Sequence, residues 1–304
     1  MLFTSYEFLG FLAVLLLLYY LVPKRFQWQL LLAASYLFYF LTGPSNLIYI
    51  LAATVTTYLA GWQIARIGER QSAYLKEHKA ELDKEAKKAY KAGMKHKQWL
   101  CLLLCLLFNI GVLAVVKYTN FVIGNVNAVF QAVGSGSRMD FLDIALPMGI
   151  SFFTFQAMGY LIDVYRGVVP AERNPFKLAL FVSFFPQLVQ GPISRFGDLA
   201  VSLFEQHRFD GRTVSFGLQR VLWGFFKKLV IADRMLVGVN AIVRNPESYS
   251  GAYVFLGMLF YALELYADFT GGIDITIGVA ETLGIRVTEN FIRPYFSKSI
   301  KEYW

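Results

Sequence analysis

Trp99-Leu-Cys-Leu-Leu-Leu-Cys-Leu-Leu-Phe-Asn-Ile-Gly-Val-Leu-Ala-Val-Val116 holds no charged residue and is bounded by Lys97 and Lys117. As a helix rising 1.5 Å per residue it covers about 27 Å, close to the ~30 Å of a bilayer's hydrocarbon. Comparable apolar runs stand at about 7–22, 26–41, 46–62, 144–165, 176–190, 216–237 and 252–267. Several are short for a span, which implies tilted, re-entrant or interfacial pieces. With 56% apolar and 16% charged residues, a soluble arrangement would expose large apolar surfaces. The ten-residue alternation of a membrane barrel is missing, so helices are left to satisfy the backbone in lipid. The sequence predicts an all-α integral membrane protein, a single polytopic domain over 1–304.

The first run has no basic leader and no small-residue cleavage site before Pro23-Lys24-Arg25, so it reads as a retained span. Residues 66–98 hold ten basic residues (Arg66, Arg70, Lys76, Lys79, Lys84, Lys87, Lys88, Lys91, Lys95, Lys97) against five acidic ones. Two spans separate this segment from Lys24-Arg25, so both lie on one side, which the positive-inside rule makes cytoplasmic and which puts Met1 outside. Most of the formal charge of +8 is thus topological, and no aromatic interleaving points to nucleic acid. Within this basic cytoplasmic loop, 73–97 predicts a helix. Cys101 and Cys105, four apart on an apolar helix with no neighbouring His or carboxylate, read as buried reduced thiols; no metal site is expected.

Polar residues inside apolar sequence are the candidates for function. Gln156, Tyr160 and Asp163 form a stripe at i, i+4 and i+7, with Ser151 and Thr154 one turn earlier. The stripe either ties helices together by hydrogen bonds or lines a wet tunnel, and the first use is the commoner one. In Phe185-Pro-Gln187-Leu-Val-Gln190-Gly-Pro192-Ile-Ser194-Arg195, two prolines and a glycine forbid a straight helix, leaving a re-entrant element or an interfacial helix end. Arg220, Lys227 and Arg234 recur every seven residues in 216–237, as on an in-plane helix whose cations snorkel to lipid phosphates or attract an anionic acyl donor. In Tyr266-Ala-Asp268-Phe-Thr270-Gly271-Gly272-Ile-Asp274, carboxylates at bilayer depth cost several kcal/mol, on the order of 3, unless paired or wet. Gly271-Gly272 is expected to break the helix, with Asp274 a cap on the next; Asp268 and Glu264 either pair with Arg293 or another base or serve a site. All three histidines, His78, His96 and His207, lie in polar sequence, so no general base is visible within an apolar helix. Asn290 to Trp304 runs on without a turn or polar tail, and the chain looks cut off there.

Taken in order, Met1-Leu-Phe-Thr-Ser-Tyr6, Leu146-Pro-Met-Gly-Ile-Ser-Phe-Phe-Thr-Phe-Gln156, the Phe185–Arg195 stretch, Phe226-Lys-Lys-Leu-Val-Ile-Ala-Asp-Arg234, the Asp268 motif and Asn290–Trp304 resemble the membrane-bound O-acyltransferase family. The branch is that of the alginate O-acetylation proteins, with teichoic-acid D-alanyl transfer proteins as cousins. The resemblance implies a ring of tilted helices, with re-entrant and interfacial pieces, around a tunnel in which a cytoplasmic acyl donor meets an acceptor from outside. It implies that acetyl groups, from acetyl-CoA or an acylated carrier, move toward an exported polysaccharide through an extracytoplasmic acetyltransferase partner in the bacterial cell membrane. The family's catalytic histidines would fall beyond Trp304, so no catalytic residue is expected in this chain. Gln156, Tyr160, Gln187, Pro192, Ser194, Asp268 and Asp274 become candidates for shaping or supporting the tunnel. Glu264 stands where the family usually has Gln, and Ala267 where an aromatic commonly precedes the Asp. A non-catalytic membrane conduit or scaffold is the alternative from another class.

Overall fold

A computed structural model describes residues 3–80, 82–144, 146–291 and 294–303, and among these it contains helices and no strand. The helices are α1 (Tyr6–Leu21), α2 (Gln27–Thr42), α3 (Leu47–Glu77), α4 (Lys84–Ala132), α5 (Ile150–Arg166), α6 (Pro175–Ser183), α7 (Phe185–Gln190), α8 (Phe196–Leu203), α9 (Gly211–Phe225), α10 (Asp233–Arg244), α11 (Gly251–Thr282) and α12 (Ile300–Tyr303), with a π-helical turn (Phe226–Ala232) joining α9 to α10. The segment 44–77, α4 and α11 are long and apolar enough to cross a membrane. The protein is an all-α membrane protein, as its composition requires.

The chain forms two compact units, one of residues up to Phe38 together with those from Phe184 onward, the other Tyr39–Ser183. In the second unit α3 and α4 form one antiparallel hairpin. Asn109 Nδ2 donates to Thr56 Oγ1 at 3.2 Å, Gln98 Nε2 donates to the Ile64 carbonyl at 3.0 Å, and the Tyr74 and Tyr90 rings stack at 4.3 Å. At 49 residues α4 is about 74 Å long, well over twice the hydrocarbon thickness, so its basic end and that of α3 stand outside the bilayer. The single helix expected over 73–97 is therefore two helical ends meeting at a turn, with the Asp83 carboxylate accepting from the Ala86 N–H at 2.7 Å as an N-cap. Cys105 is buried and Cys101 partly so, both as free thiols. Against this hairpin α5 lays Tyr160 over Gly61, and α6 buries Leu178 through Ser183.

The first unit has an aromatic core in which Phe8, Phe11, Phe38 and Phe185 meet edge-on or tilted, with centroids 5.4–6.2 Å apart. Its main contact is between α9 and α11, which run antiparallel with backbones touching. A Cβ on Gly224 would lie 2.6 Å from the Gly271 carbonyl oxygen, and one on Gly217 2.8 Å from that of Gly278. Gly271-Gly272 was expected to break the helix, yet α11 runs through both. Each glycine costs a helix only ~1 kcal/mol relative to alanine, and here that loss is offset by the approach of a second helix.

Gly217→Ala and Gly224→Ala should each lower the thermal stability of the detergent-solubilised protein by about 1–3 kcal/mol, because the clash is with backbone that cannot step aside. Gly10→Ala in α1, where a Cβ meets no atom within 4 Å, is the control and should be neutral or slightly stabilising.

Candidate functional site

Around residues 268–276 of α11 the first unit gathers a cluster of partly buried charges. Seven-residue spacing on both helices places Arg220 between Gly217 and Gly224, and Asp274 between Gly271 and Gly278, so the close glycine seam carries the two charges to each other. Arg220 Nε donates to Asp274 Oδ1 at 3.0 Å, and its two terminal nitrogens donate to Glu289 at 2.6 and 2.7 Å in a bidentate fork. Lys227 pairs with the other oxygen of Asp274, and Lys228 pairs with Asp268. Neighbouring residues on an ordinary helix face different ways, yet these two lysines serve carboxylates six positions apart on α11. They do so from the π turn, a widened turn often found at functional sites.

These pairings replace two expectations. Asp274 is not a cap, since it lies in the interior of α11, where its carboxylate is held by two cations. Arg220 and Lys227 do not snorkel to lipid; only Arg234 of that series is exposed. Arg293, the other suggested partner of Glu264 and Asp268, lies outside the described residues.

A second cluster packs against the same stretch. Gln187 Nε2 donates to Ser194 Oγ at 2.6 Å and to the Pro192 carbonyl at 3.0 Å, closing the irregular turn after α7 with both side chains buried. Thr276 Oγ1 donates to the Pro186 carbonyl at 2.8 Å, tying α7 to α11. The Gln190 amide lies across Gly272, where a Cβ would stand 2.1 Å from its Oε1. Gln187, Pro192, Ser194, Asp268 and Asp274 thus fall in one neighbourhood. Gln156 and Tyr160 belong to the other unit, where Gln156 Nε2 donates to the Phe181 carbonyl at 2.8 Å and Tyr160 Oη accepts from the Glu172 N–H at 2.8 Å. Both are buried and bonded to backbone, as helix-tying residues would be.

His207, read from sequence as one of three polar-segment histidines, is half-buried. Its Nδ1 lies 2.9 Å from Tyr19 Oη, and the Gln27 amide brackets its backbone, accepting from the His207 N–H at 2.9 Å and donating to the His207 carbonyl at 3.0 Å. The ring packs on Gly284, whose φ of +79° suits glycine and whose missing side chain leaves the space. It borders a cavity of about 810 Å³ that also takes in Arg208, Arg220, Arg286 and Glu289. Burial holds His207 below the ordinary histidine value, against a smaller upward pull from Glu205. Lys228 and Gln190 were missing from the sequence candidates, and Arg220 and Lys227 stood there only as cations of an interfacial helix; the shared seven-residue spacing of glycines in 217–224 and 271–278 is the signal that points to these two as partners of Asp274.

Known proteins extend the comparison. No protein-family model matches the chain. A probable alginate O-acetylase AlgI of Pseudomonas syringae pv. tomato is 36% identical over 312 aligned residues, covering all of this chain and 54% of that protein. A peptidoglycan O-acetyltransferase of Helicobacter pylori is 32% identical over 67% of this chain and 43% of its own length. A teichoic acid D-alanyltransferase of Bacillus subtilis is 27% identical over 52% of this chain and 40% of its own length. The chain spans about half the length of the curated relatives it matches. Over its whole length the chain is similar to proteins named as probable alginate O-acetylases.

Asp274→Asn should destabilise the protein by about 2–4 kcal/mol, more than Asp268→Asn, because it strands Lys227 at low exposure and takes from Arg220 one of its two carboxylates. A double-mutant cycle with Lys227→Met, read by thermal denaturation in detergent, should show that the second change recovers part of the loss. His207 carries a pH signature. Its folded pKa lies below the unfolded 6.5, so its stabilising contribution is whole above about 6.5 and is lost as pH falls through the folded value. The melting temperature should therefore drop between pH 7.5 and 5.5, and His207→Gln should flatten that slope.

Proposed function

We propose that the protein is a membrane-bound O-acyltransferase that moves acetyl groups from a cytoplasmic donor toward an exported polysaccharide of the alginate type. The observation that carries this reading is the 36% identity, over every residue of the chain, to proteins named as probable alginate O-acetylases. The longer and stronger match to that branch favours acetyl over D-alanyl transfer. Acetyl-CoA or an acylated carrier is the donor, and an extracytoplasmic acetyltransferase completes transfer to sugar. The setting is the bacterial cell membrane, with the N-terminus outside and the 66–98 hairpin in the cytoplasm, supported by the basic residues at Lys24-Arg25 and along 66–98.

In this reading the residues around Asp268 and Asp274 are positioning groups. Their carboxylates are engaged by Lys228, Lys227 and Arg220, so they hold the π turn and α11 in register and do not serve as free bases. Gln187, Pro192 and Ser194 fix the irregular backbone that packs on α11, while Gln156 and Tyr160 brace α5. The general base is assigned to none of His78, His96 and His207, because the family histidine that the resemblance implies matches none of them.

The test is transfer of labelled acetyl groups from acetyl-CoA by this chain and by the chain extended through its genomic continuation. Activity confined to the extended form is expected, and activity of the short form would overturn the placement of the base. In the extended protein Asp274→Asn should reduce turnover at least about tenfold, and normal acetylation by both Asp268→Asn and Gln156→Ala would remove these residues from the proposal.

A further inference from the structure

Within a collar of basic residues the second unit carries a cavity, lined by Arg66 and Arg173 together with Glu69 and Glu172, that the acyl-transfer reading leaves unused. Trp62 on α3 and Trp99 on α4, both half-exposed, stand opposite each other in the hairpin register, as aromatic side chains do at a membrane interface. Just past them toward the hairpin turn the exposed bases begin. Arg66 and Lys95 follow within about 6 Å along their helix axes, Lys97 within about 3 Å, and Arg70 and Lys91 within about 12 Å. Arg166 and Arg173 come in from the end of α5 and the loop after it. Among the described residues Glu69 and Glu172 oppose this collar of seven bases, with Asp163 buried one turn before Arg166.

The charge is not spread evenly along the hairpin. Residues 76–88 at the tip hold five lysines against four acidic residues, so they contribute almost no net charge. Along their helix axes Lys76, Lys84, Lys87 and Lys88 stand roughly 16–23 Å from the aromatic level, beyond the ~8 Å Debye length at physiological salt. Positive potential is therefore concentrated where lipid phosphates lie.

In that collar a cavity of about 920 Å³ opens between α3, α4 and the 167–173 loop, lined among others by Trp62, Arg66, Glu69, Gln98, Pro170 and Arg173. Of the cavity's two cations, the Arg66 guanidinium lies 5.1 Å from the Trp62 ring centroid. Outside the cavity lining, Lys95 Nζ donates to the Tyr165 carbonyl at 2.6 Å while sitting 3.7 Å over that ring. Tyr58 Oη donates to the Arg173 carbonyl at 2.8 Å and fixes the loop. The Arg173 side chain is engaged by Glu69 at 3.2 Å with both groups highly exposed, a contact that a phosphate can replace at little cost. The Glu172 carboxylate is occupied in accepting from the Asn174 N–H at 2.8 Å.

We propose that this cavity binds the phosphate of an anionic phospholipid headgroup, with Arg66 and Arg173 as its ligands and Trp62 packed on the glycerol and upper acyl region. Basic pockets between spans on the positively biased side of a membrane protein have the chemistry for such headgroups.

The test titrates the detergent-purified full chain with short-chain phosphatidylglycerol and phosphatidylcholine, reading bound lipid by native mass spectrometry. Phosphatidylglycerol should bind on the order of tenfold more tightly. R66Q/R173Q should abolish that preference, R66K/R173K should keep most of it, and K84Q/K88Q, which removes the same charge at the tip, should leave it intact. Equal binding of the two lipids, or an equal loss in the tip variant, would overturn the site. Displacement of the lipid by equimolar inorganic phosphate or coenzyme A would reassign the cavity to a soluble phosphate and overturn the lipid assignment. Independently of R66Q/R173Q folding, phosphatidylglycerol brominated near its headgroup should quench the fluorescence component that Trp62→Phe removes, and an unquenched Trp62 rejects the proposal.

Discussion

The contact on which the first unit depends is the backbone approach of α9 to α11. Between helices in lipid there is little hydrophobic gain from association, so packing and polar contacts must supply it, and small residues let both act at short range. Gly217 faces Gly278 and Gly224 faces Gly271, with carbonyl oxygens where side chains would otherwise stand. Arg220 and Asp274 sit between these glycine pairs on their respective helices. A short aspartate side chain can hold both an arginine and a lysine only because the helices are already close. Seam and ion pairs are one device: widening the seam by a methyl group would also stretch the charge contacts and leave costly charges poorly paired.

The same stretch of α11 is engaged on another side by α7. The Gln190 amide occupies the space over Gly272, and Thr276 bonds to the carbonyl of Pro186, a residue that has no N–H of its own to give. Gln187 spends its amide on Ser194 and on the Pro192 carbonyl, so the break in helical hydrogen bonding between α7 and α8 is repaired locally. The irregular backbone and the buried carboxylates, which look like separate features in the sequence, meet over residues 268–276. The π turn completes the arrangement, because it lets consecutive lysines address Asp268 and Asp274 without distorting α11.

Much of this was legible from residue chemistry. The apolar runs at 46–62, 99–116 and 252–267 mark the helices long and apolar enough to cross a membrane, and the cost of a carboxylate in hydrocarbon is enough to single out Asp268 and Asp274. What failed did so where local preference was set against tertiary contact. Gly271-Gly272 reads as a helix break from propensity alone, and only the presence of α9 explains why the helix continues. Arg220 and Lys227 read as snorkelling cations on an isolated amphipathic helix; their partners are about fifty residues away in the chain, beyond the reach of any periodicity within 216–237. Gln156 and Tyr160 were grouped with the Asp268 motif because both are polar within apolar sequence, a criterion that says nothing about which unit a helix joins.

The basic segment shows the difference between counting charge and placing it. Ten basic residues over 66–98 suffice to argue topology, and for that purpose their order is immaterial. Once α3 and α4 are seen to stay paired as far as Tyr74 and Tyr90, and α4 to be too long for the hydrocarbon, order becomes distance from the membrane. Acidic residues then cancel the lysines at the tip and leave those near Trp62 and Trp99 largely uncompensated. A helix lying flat on the surface would bring every charge to the headgroups and make this distribution pointless. In an upright hairpin, screening over ~8 Å makes only the membrane-proximal bases felt by lipid, and those are the ones the sequence leaves unopposed.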